Sequence, residues 1–218
     1  MFNTILLDWD GCMADTLSIW MESYKKLFAK RDIYPSEEEI VGEVFGNWDG
    51  PAKLGVIDQE VYTRELLDEV AEGLKRVRLH PYVFETMKSL YEFGSSLAVV
   101  TTSKRETVYP PMERFGLIKY AQTIISAEDV VKHKPDPEIV YKAMEKLGGK
   151  NESTIIVGDS EKDVLAGRAA GISTLIFYPE TNKRFYREGD LRKLKPDFFI
   201  TDFRKLLEIV NPSNHSND

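Results

Sequence analysis

An α/β fold on a parallel sheet, with a small all-helical unit inserted after the first strand, is the architecture this sequence predicts. Three observations predict it. Short β-branched runs alternate with amphipathic stretches along most of the chain, a purely helical stretch follows the first run, and chemically active side chains sit just past several of the runs. Such alternation implies βαβ units and a sheet covered on both faces.

The strand candidates are residues 4–7, 97–101, 123–126, 154–157, 174–178 and 198–201. Between them lie helical patterns. Residues 83–93 carry Val83, Met87, Leu90 and Tyr91 at the spacing of one helix face. Residues 137–147 start at Pro137 and stop at Gly148-Gly149, 161–170 end at Gly171, and 202–210 form the closing helix. Pro110-Pro111 predicts a break in the helix after Lys104. Residues 17–77 contain no strand candidate. There 17–30, 36–45 and 58–77 read as amphipathic helices, joined by 31–35 and by the Gly-rich 46–51. The expected division is a core of 1–16 plus 80–218 and a helical cap of 17–79.

With 218 residues, 42% of them hydrophobic, the chain can bury a sizeable core. A net charge of -7 argues against broad binding to nucleic acid or an anionic membrane, though not against a small anionic ligand. The single Cys12 excludes an intrachain disulfide and fits a reducing cytoplasm. The apolar run before Asp8 is too short for a targeting segment or a membrane span, and the polar tail 211–218 reads as frayed.

Ligands of open parallel sheets bind beyond the carboxyl ends of the strands. There the sequence delivers Asp8 and Asp10, then Thr101-Thr102-Ser103, then Gly158-Asp159-Ser160, with Lys134 just ahead of a helix. Carboxylates suit Mg²⁺, while hydroxyl, amide and ammonium donors suit a phosphoryl group. Four pieces match a known pattern in order: "DWDGCMADT", Thr101 after "LAVV", Lys134 in "KPDP", and "GDSEKD" at 158–163. This set resembles the haloacid-dehalogenase-like hydrolases, specifically helical-cap phosphatases of the phosphoglycolate phosphatase and β-phosphoglucomutase-like group, whose core is Rossmann-like.

The resemblance implies that Asp8 is a nucleophile forming an aspartyl-phosphate and that Asp10 is the general acid and base. Residues two apart in an extended segment face the same side, so both acids can share one site while Trp9 turns away. Two close acids do not ionise together easily, which favours a proton on Asp10. The resemblance also implies Mg²⁺ held by Asp8, the Asp10 carbonyl and Asp159, with Asp163 supporting through water. Thr101, Thr102 and Lys134 would bind the phosphoryl oxygens.

Other residues read as structural. Asp15 and Thr16 cap the first helix, Cys12, Trp9 and Trp20 pack, and the three histidines lack metal-ligand spacing. Asn47 and Trp48 lie in a loop that can face substrate. Tyr82 departs from the family, which often carries Gly in the turn before that helix. The function expected is Mg²⁺-dependent hydrolysis of a small phosphorylated metabolite. A phosphomutase of the same fold is the alternative, disfavoured because no cap residue for returning the phosphoryl group is identifiable. A dehalogenase leaves Asp10 without a use, and a receiver-type signalling domain does not explain Asp10 or the helical insertion.

Overall fold

The computed structural model describes residues 1–211, so the expected fraying of the tail, and His215 within it, fall outside the described residues. The chain runs through β1 (Thr4–Leu7), α1 (Leu17–Ala29), α2 (Glu37–Glu39), α3 (Gly50–Lys53), α4 (Gln59–Leu74), α5 (Val83–Glu92) and β2 (Ser96–Val100). It continues through α6 (Arg105–Arg114), β3 (Thr123–Ile125), α7 (Glu138–Leu147), β4 (Thr154–Gly158), α8 (Glu161–Ala169), β5 (Ser173–Phe177), α9 (Glu188–Lys193), β6 (Phe198–Ile200) and α10 (Lys205–Val210).

The six strands form one parallel sheet in the order β3-β2-β1-β4-β5-β6, a Rossmann-like α/β fold. β1 is central, with Leu7 level with Val99 of β2 and Val157 of β4. The residues that follow these three strands therefore leave the same edge, where the strand order reverses. Alternate side chains serve opposite faces. Ile5 and Leu7 join one apolar cluster with Val99 and Val157, whereas Leu6 joins another with Ala98, Ile156 and Ile139 of α7.

The segment between β1 and α5 is helical, as its periodicity predicts. α1 packs on α4, with the Phe28 and Tyr62 rings 5.4 Å apart, and Arg31 ties their ends by pairing with Asp58 and Glu65.

Five local expectations are corrected. Residues 36–45 are not one α-helix: α2 passes into a π-turn over Ile40–Val44, closed by the Phe45 amide on the Ile40 carbonyl. The wider turn buries both Ile40 and Val44 and sets Phe45 against Phe185, at 5.9 Å between rings. The linker 46–51 contributes the start of α3, with Pro51 in its first turn. A further helix, α9, lies between β5 and β6, where none was expected.

α6 runs unbroken through Pro110 and Pro111. The two missing amides cost two helix bonds, but Val108, Pro111 and Met112 are buried, and Arg114 donates to the Leu74 and Val77 carbonyls at the end of α4. Burial and this anchor outweigh the local preference. Finally, Thr16 holds the N-cap position of α1 without capping it, since its buried hydroxyl has no partner.

Candidate active site

The "DWDGC" turn leaves β1 with the Asp8 amide bonded to the Val157 carbonyl at 2.9 Å, which extends the ladder by one residue and buries Asp8. Gly11 follows at φ +71°, and a Cβ there would stand 2.1 Å from Asp159 Oδ2. Only glycine lets the turn carrying Asp8 close on the turn carrying Asp159.

Lys134 is buried at the centre. Its Nζ donates to Asp8 Oδ1 and to Asp163 Oδ1, each at 2.6 Å, and to the Val100 carbonyl at 3.1 Å. All three ammonium protons are thereby directed. Burial alone would pull this amine down, but the facing Asp163 and Asp8 hold it above its ordinary value. Asp8 feels the converse. Burial pushes its carboxyl up to about 8, against the pull of Lys134 and with the push of Asp163. Burial likewise raises Asp159 well above the usual carboxylate range, reinforced by the charges of Asp8 and Asp163.

Asp8, Asp159 and Asp163 form a buried group of acids whose oxygens lie within 4.8 Å of one another. One ammonium facing three carboxylates leaves an excess of negative charge in low dielectric, and an all-oxygen donor set fits Mg²⁺. Within the trio the roles differ. Asp163 is fully engaged, Oδ1 by Lys134 and Oδ2 by the Ser160 hydroxyl at 2.7 Å and amide at 3.2 Å in a capping box that starts α8. Asp159 accepts from the Asn182 amide at 2.8 Å on Oδ2 alone.

Asp10 is held from two sides. The Trp20 indole donates to Oδ1 at 2.7 Å and the Ser103 hydroxyl to Oδ2 at 2.5 Å. Thr101 is buried, its hydroxyl accepting from the Ser103 amide at 3.0 Å, which bends the chain after β2.

These groups border a cavity of about 730 Å³ between the sheet edge and the helical segment. Of the residues singled out in the sequence, Asp8, Asp10, Thr102, Lys134 and Asp159 line it, with Asn47 and Trp48 opposite. Thr101 and Asp163 stand behind that wall. Trp48 crosses the gap: its indole donates to the Thr102 carbonyl at 2.8 Å, and its ring meets Trp20 edge-on at 6.2 Å. Asn47 spends its amide on the Glu43 carbonyl and its oxygen on the Asp49 amide, which shapes the loop.

Four residues here carry site roles that the sequence reading did not assign to them, although it placed Ser103 at this edge. Trp20 was read as packing, yet it orients Asp10; one helical turn past Thr16 is the only hint. Ser103 sits two residues after Thr101 and shares its strand end. Asn182, buried in the turn after β5, bridges Asp159 and the Gly11 carbonyl, and no local pattern announces it. Lys162 lines the cavity and donates to the Phe45 carbonyl, and burial lowers its amine. Cys12 packs as expected, its thiol pushed up by burial, and among the described residues no histidine joins the acidic group.

Comparison with known proteins fits this geometry. The family model for haloacid dehalogenase-like hydrolases matches residues 5–177. Pyrophosphatase PpaX of Halalkalibacterium halodurans is 33% identical over 220 residues, covering 95% of this chain and 96% of that protein. Its counterpart from Oceanobacillus iheyensis is 31% identical over 218 residues, covering 97% and 98%. In fold, the chain is similar to CbbY from Rhodobacter sphaeroides in complex with phosphate, at a TM-score of 0.79 and 20% identity over 94% of this chain and 96% of that one. With that match spanning the sheet from β1 to β5 and every motif at its edge, the chain belongs to the haloacid dehalogenase-like hydrolases.

Proposed function

We propose that this enzyme is a Mg²⁺-dependent phosphatase that hydrolyses a small phosphorylated metabolite through an aspartyl-phosphate on Asp8. The observation that carries this reading is the Lys134 ammonium, 2.6 Å from a carboxylate oxygen of both Asp8 and Asp163, at the strand ends where Asp159 also emerges. Lys134 fixes one Asp8 oxygen and so aims the carboxylate into the cavity. Asp8 and Asp159, with the Asp10 carbonyl, would hold the Mg²⁺, and Asp163 would support it through Lys134 and water. When bound, the ion neutralises phosphate charge next to a carboxylate nucleophile.

In the first step an Asp8 oxygen attacks phosphorus, the bond to the leaving oxygen breaks, and Asp10 gives that oxygen a proton. In the second, water attacks the same phosphorus, the bond to Asp8 breaks, and Asp10 takes the water proton. Trp20 N–H and the Ser103 hydroxyl hold the two oxygens of Asp10 and so orient its carboxyl for this proton transfer. The Thr102 amide would steady the transferring oxygens, while Thr101, behind the wall, would act through the bend its hydroxyl sets at Ser103. Residues 17–79 act as a cap over a core of 1–16 and 80–218, with Asn47 and Trp48 shaping substrate access.

The relatives named pyrophosphatase make inorganic pyrophosphate the first substrate to test. The net charge of -7 favours a small ligand over nucleic acid, and no helix among the described residues is long and apolar enough to cross a membrane. The single buried thiol fits a cytoplasmic setting. Purified protein assayed against a panel of phosphorylated metabolites and pyrophosphate, with Mg²⁺ and with EDTA, tests the reading. Metal-dependent phosphate release is expected, and full turnover in EDTA would overturn it.

A further inference from the structure

Lys162, in the first turn of α8, is half-buried in the cavity wall, and its ammonium donates to the Phe45 carbonyl of the helical segment. Among the described residues it forms no ion pair and has no other acceptor, so two of its three protons lack a protein partner. Besides Lys134, three other cations line this cavity and each has an acidic partner: Lys183 pairs with Glu180, Arg184 with Glu37 and Glu22, and Arg187, far more exposed, with Glu38 at 3.9 Å. A half-buried ammonium with no carboxylate in direct contact is costly unless a ligand supplies one.

Gly46 brings Lys162 and Thr102 close to one another. Gly46, at φ +62°, faces both Lys162 and Thr102. A Cβ at Gly46 would stand 3.4 Å from Lys162 Nζ and 3.1 Å from Thr102 Oγ1. Lys162 thus adjoins Thr102, part of the proposed phosphoryl site, on the side toward the helical segment. In-line displacement by Asp8 sends the leaving group to the side of phosphorus away from the sheet edge, which is this side.

We propose that Lys162 is a specificity-determining residue that grips a second anionic group, a phosphate or a carboxylate, on the leaving group of the substrate. This inference rests on the phosphatase reading. The preferred substrates are then small phosphoanhydrides or phosphorylated acids, not neutral sugars or alcohols. The Phe45 carbonyl holds the ammonium at the seam, and Gly46 sets it beside Thr102.

The test compares kcat/KM for pyrophosphate, 2-phosphoglycolate and p-nitrophenyl phosphate, all with Mg²⁺, in wild type, Lys162→Met, Lys162→Arg and Gly46→Ala. Melting curves check that each variant is folded. For the preferred anionic substrate, its kcat/KM ratio to p-nitrophenyl phosphate should fall at least about tenfold in Lys162→Met, the scale of a lost charge-assisted hydrogen bond, chiefly through KM. Lys162→Arg should recover most of that ratio, and Gly46→Ala should lower it. Whichever anionic substrate responds identifies the group as phosphate or carboxylate. Ratios unchanged within about twofold in a folded Lys162→Met would overturn the inference. So would a wild type that hydrolyses p-nitrophenyl phosphate but neither anionic substrate, and in both cases the phosphatase reading stands. A wild type that releases phosphate from none of the three overturns that reading, and the inference with it.

Discussion

The indole N–H of Trp20 donates to Oδ1 of Asp10 at 2.7 Å, so a helix outside the sheet fixes the carboxyl proposed as the proton shuttle. Trp20→Phe keeps the ring near Tyr24 and Trp48 but removes the donor. We expect kcat for an alkyl phosphate, whose leaving oxygen needs a proton, to fall about tenfold. Turnover of p-nitrophenyl phosphate should fall less. Equal losses on both substrates would mean that Trp20 only packs.

Asp8 gives the metal-free protein a pH-dependent stability. Its folded carboxyl is raised to about 8 by burial, whereas in the unfolded chain it titrates near about 4. As pH rises between these values the unfolded chain loses the proton first, so this group's contribution falls across that window and levels off above it. Asp8→Asn cannot ionise. In EDTA at pH 8 it should melt no lower than wild type, while its turnover drops by orders of magnitude. Mg²⁺ should raise the melting temperature of wild type more than that of the variant. A lower melting point for Asp8→Asn in EDTA would contradict the burial argument.

Asn182 holds Asp159 through one amide hydrogen bond at 2.8 Å. Asn182→Ala frees that carboxylate, and Mg²⁺ affinity should weaken about tenfold or more, as when a partner that orients a ligand is lost. Titrating activity against Mg²⁺ checks this, with kcat at saturating metal expected to recover in large part.

Tyr82 stands at φ +67° with 44% of its surface exposed, its ring 3.9 Å from the Arg204 guanidinium carbon. Left-handed backbone costs a side-chain-bearing residue about 1 kcal/mol, and the cation–π contact returns about 0.5–1 kcal/mol. Tyr82→Gly relieves the first and loses the second, so its stability should stay near wild type. Tyr82→Ala keeps the strain and loses the contact, and should be about 1 kcal/mol less stable than Tyr82→Gly by urea denaturation. Arg204 thus offsets part of the cost of a tyrosine at this left-handed position.

What the sequence made legible is what local spacing controls. β-branched runs, the glycines after helices, and the two-residue offset of Asp8 and Asp10 located the sheet edge and the acids at it. Lys134 and Asp159 were legible because each follows a motif with its own punctuation. Trp20 and Asn182 were not, since their roles come from contacts across the fold: Asn182 reaches Gly11 and Asp159 from a different loop. Pro110 and Pro111 misled for the same reason. Their local cost is real, and packing against α4 with the Arg114 anchor, invisible in one segment, outweighs it.

The central claim is that Asp8 carries the phosphoryl group. Mass spectrometry of Asp10→Asn, acid-quenched during turnover of p-nitrophenyl phosphate, tests it most directly, because nitrophenolate leaves without a proton while hydrolysis of the intermediate lacks its base. The account predicts a burst approaching one equivalent of nitrophenol and one added phosphoryl group on the peptide containing Asp8. Turnover with no burst and no phosphorylated peptide, in protein shown to be undeamidated, would contradict it.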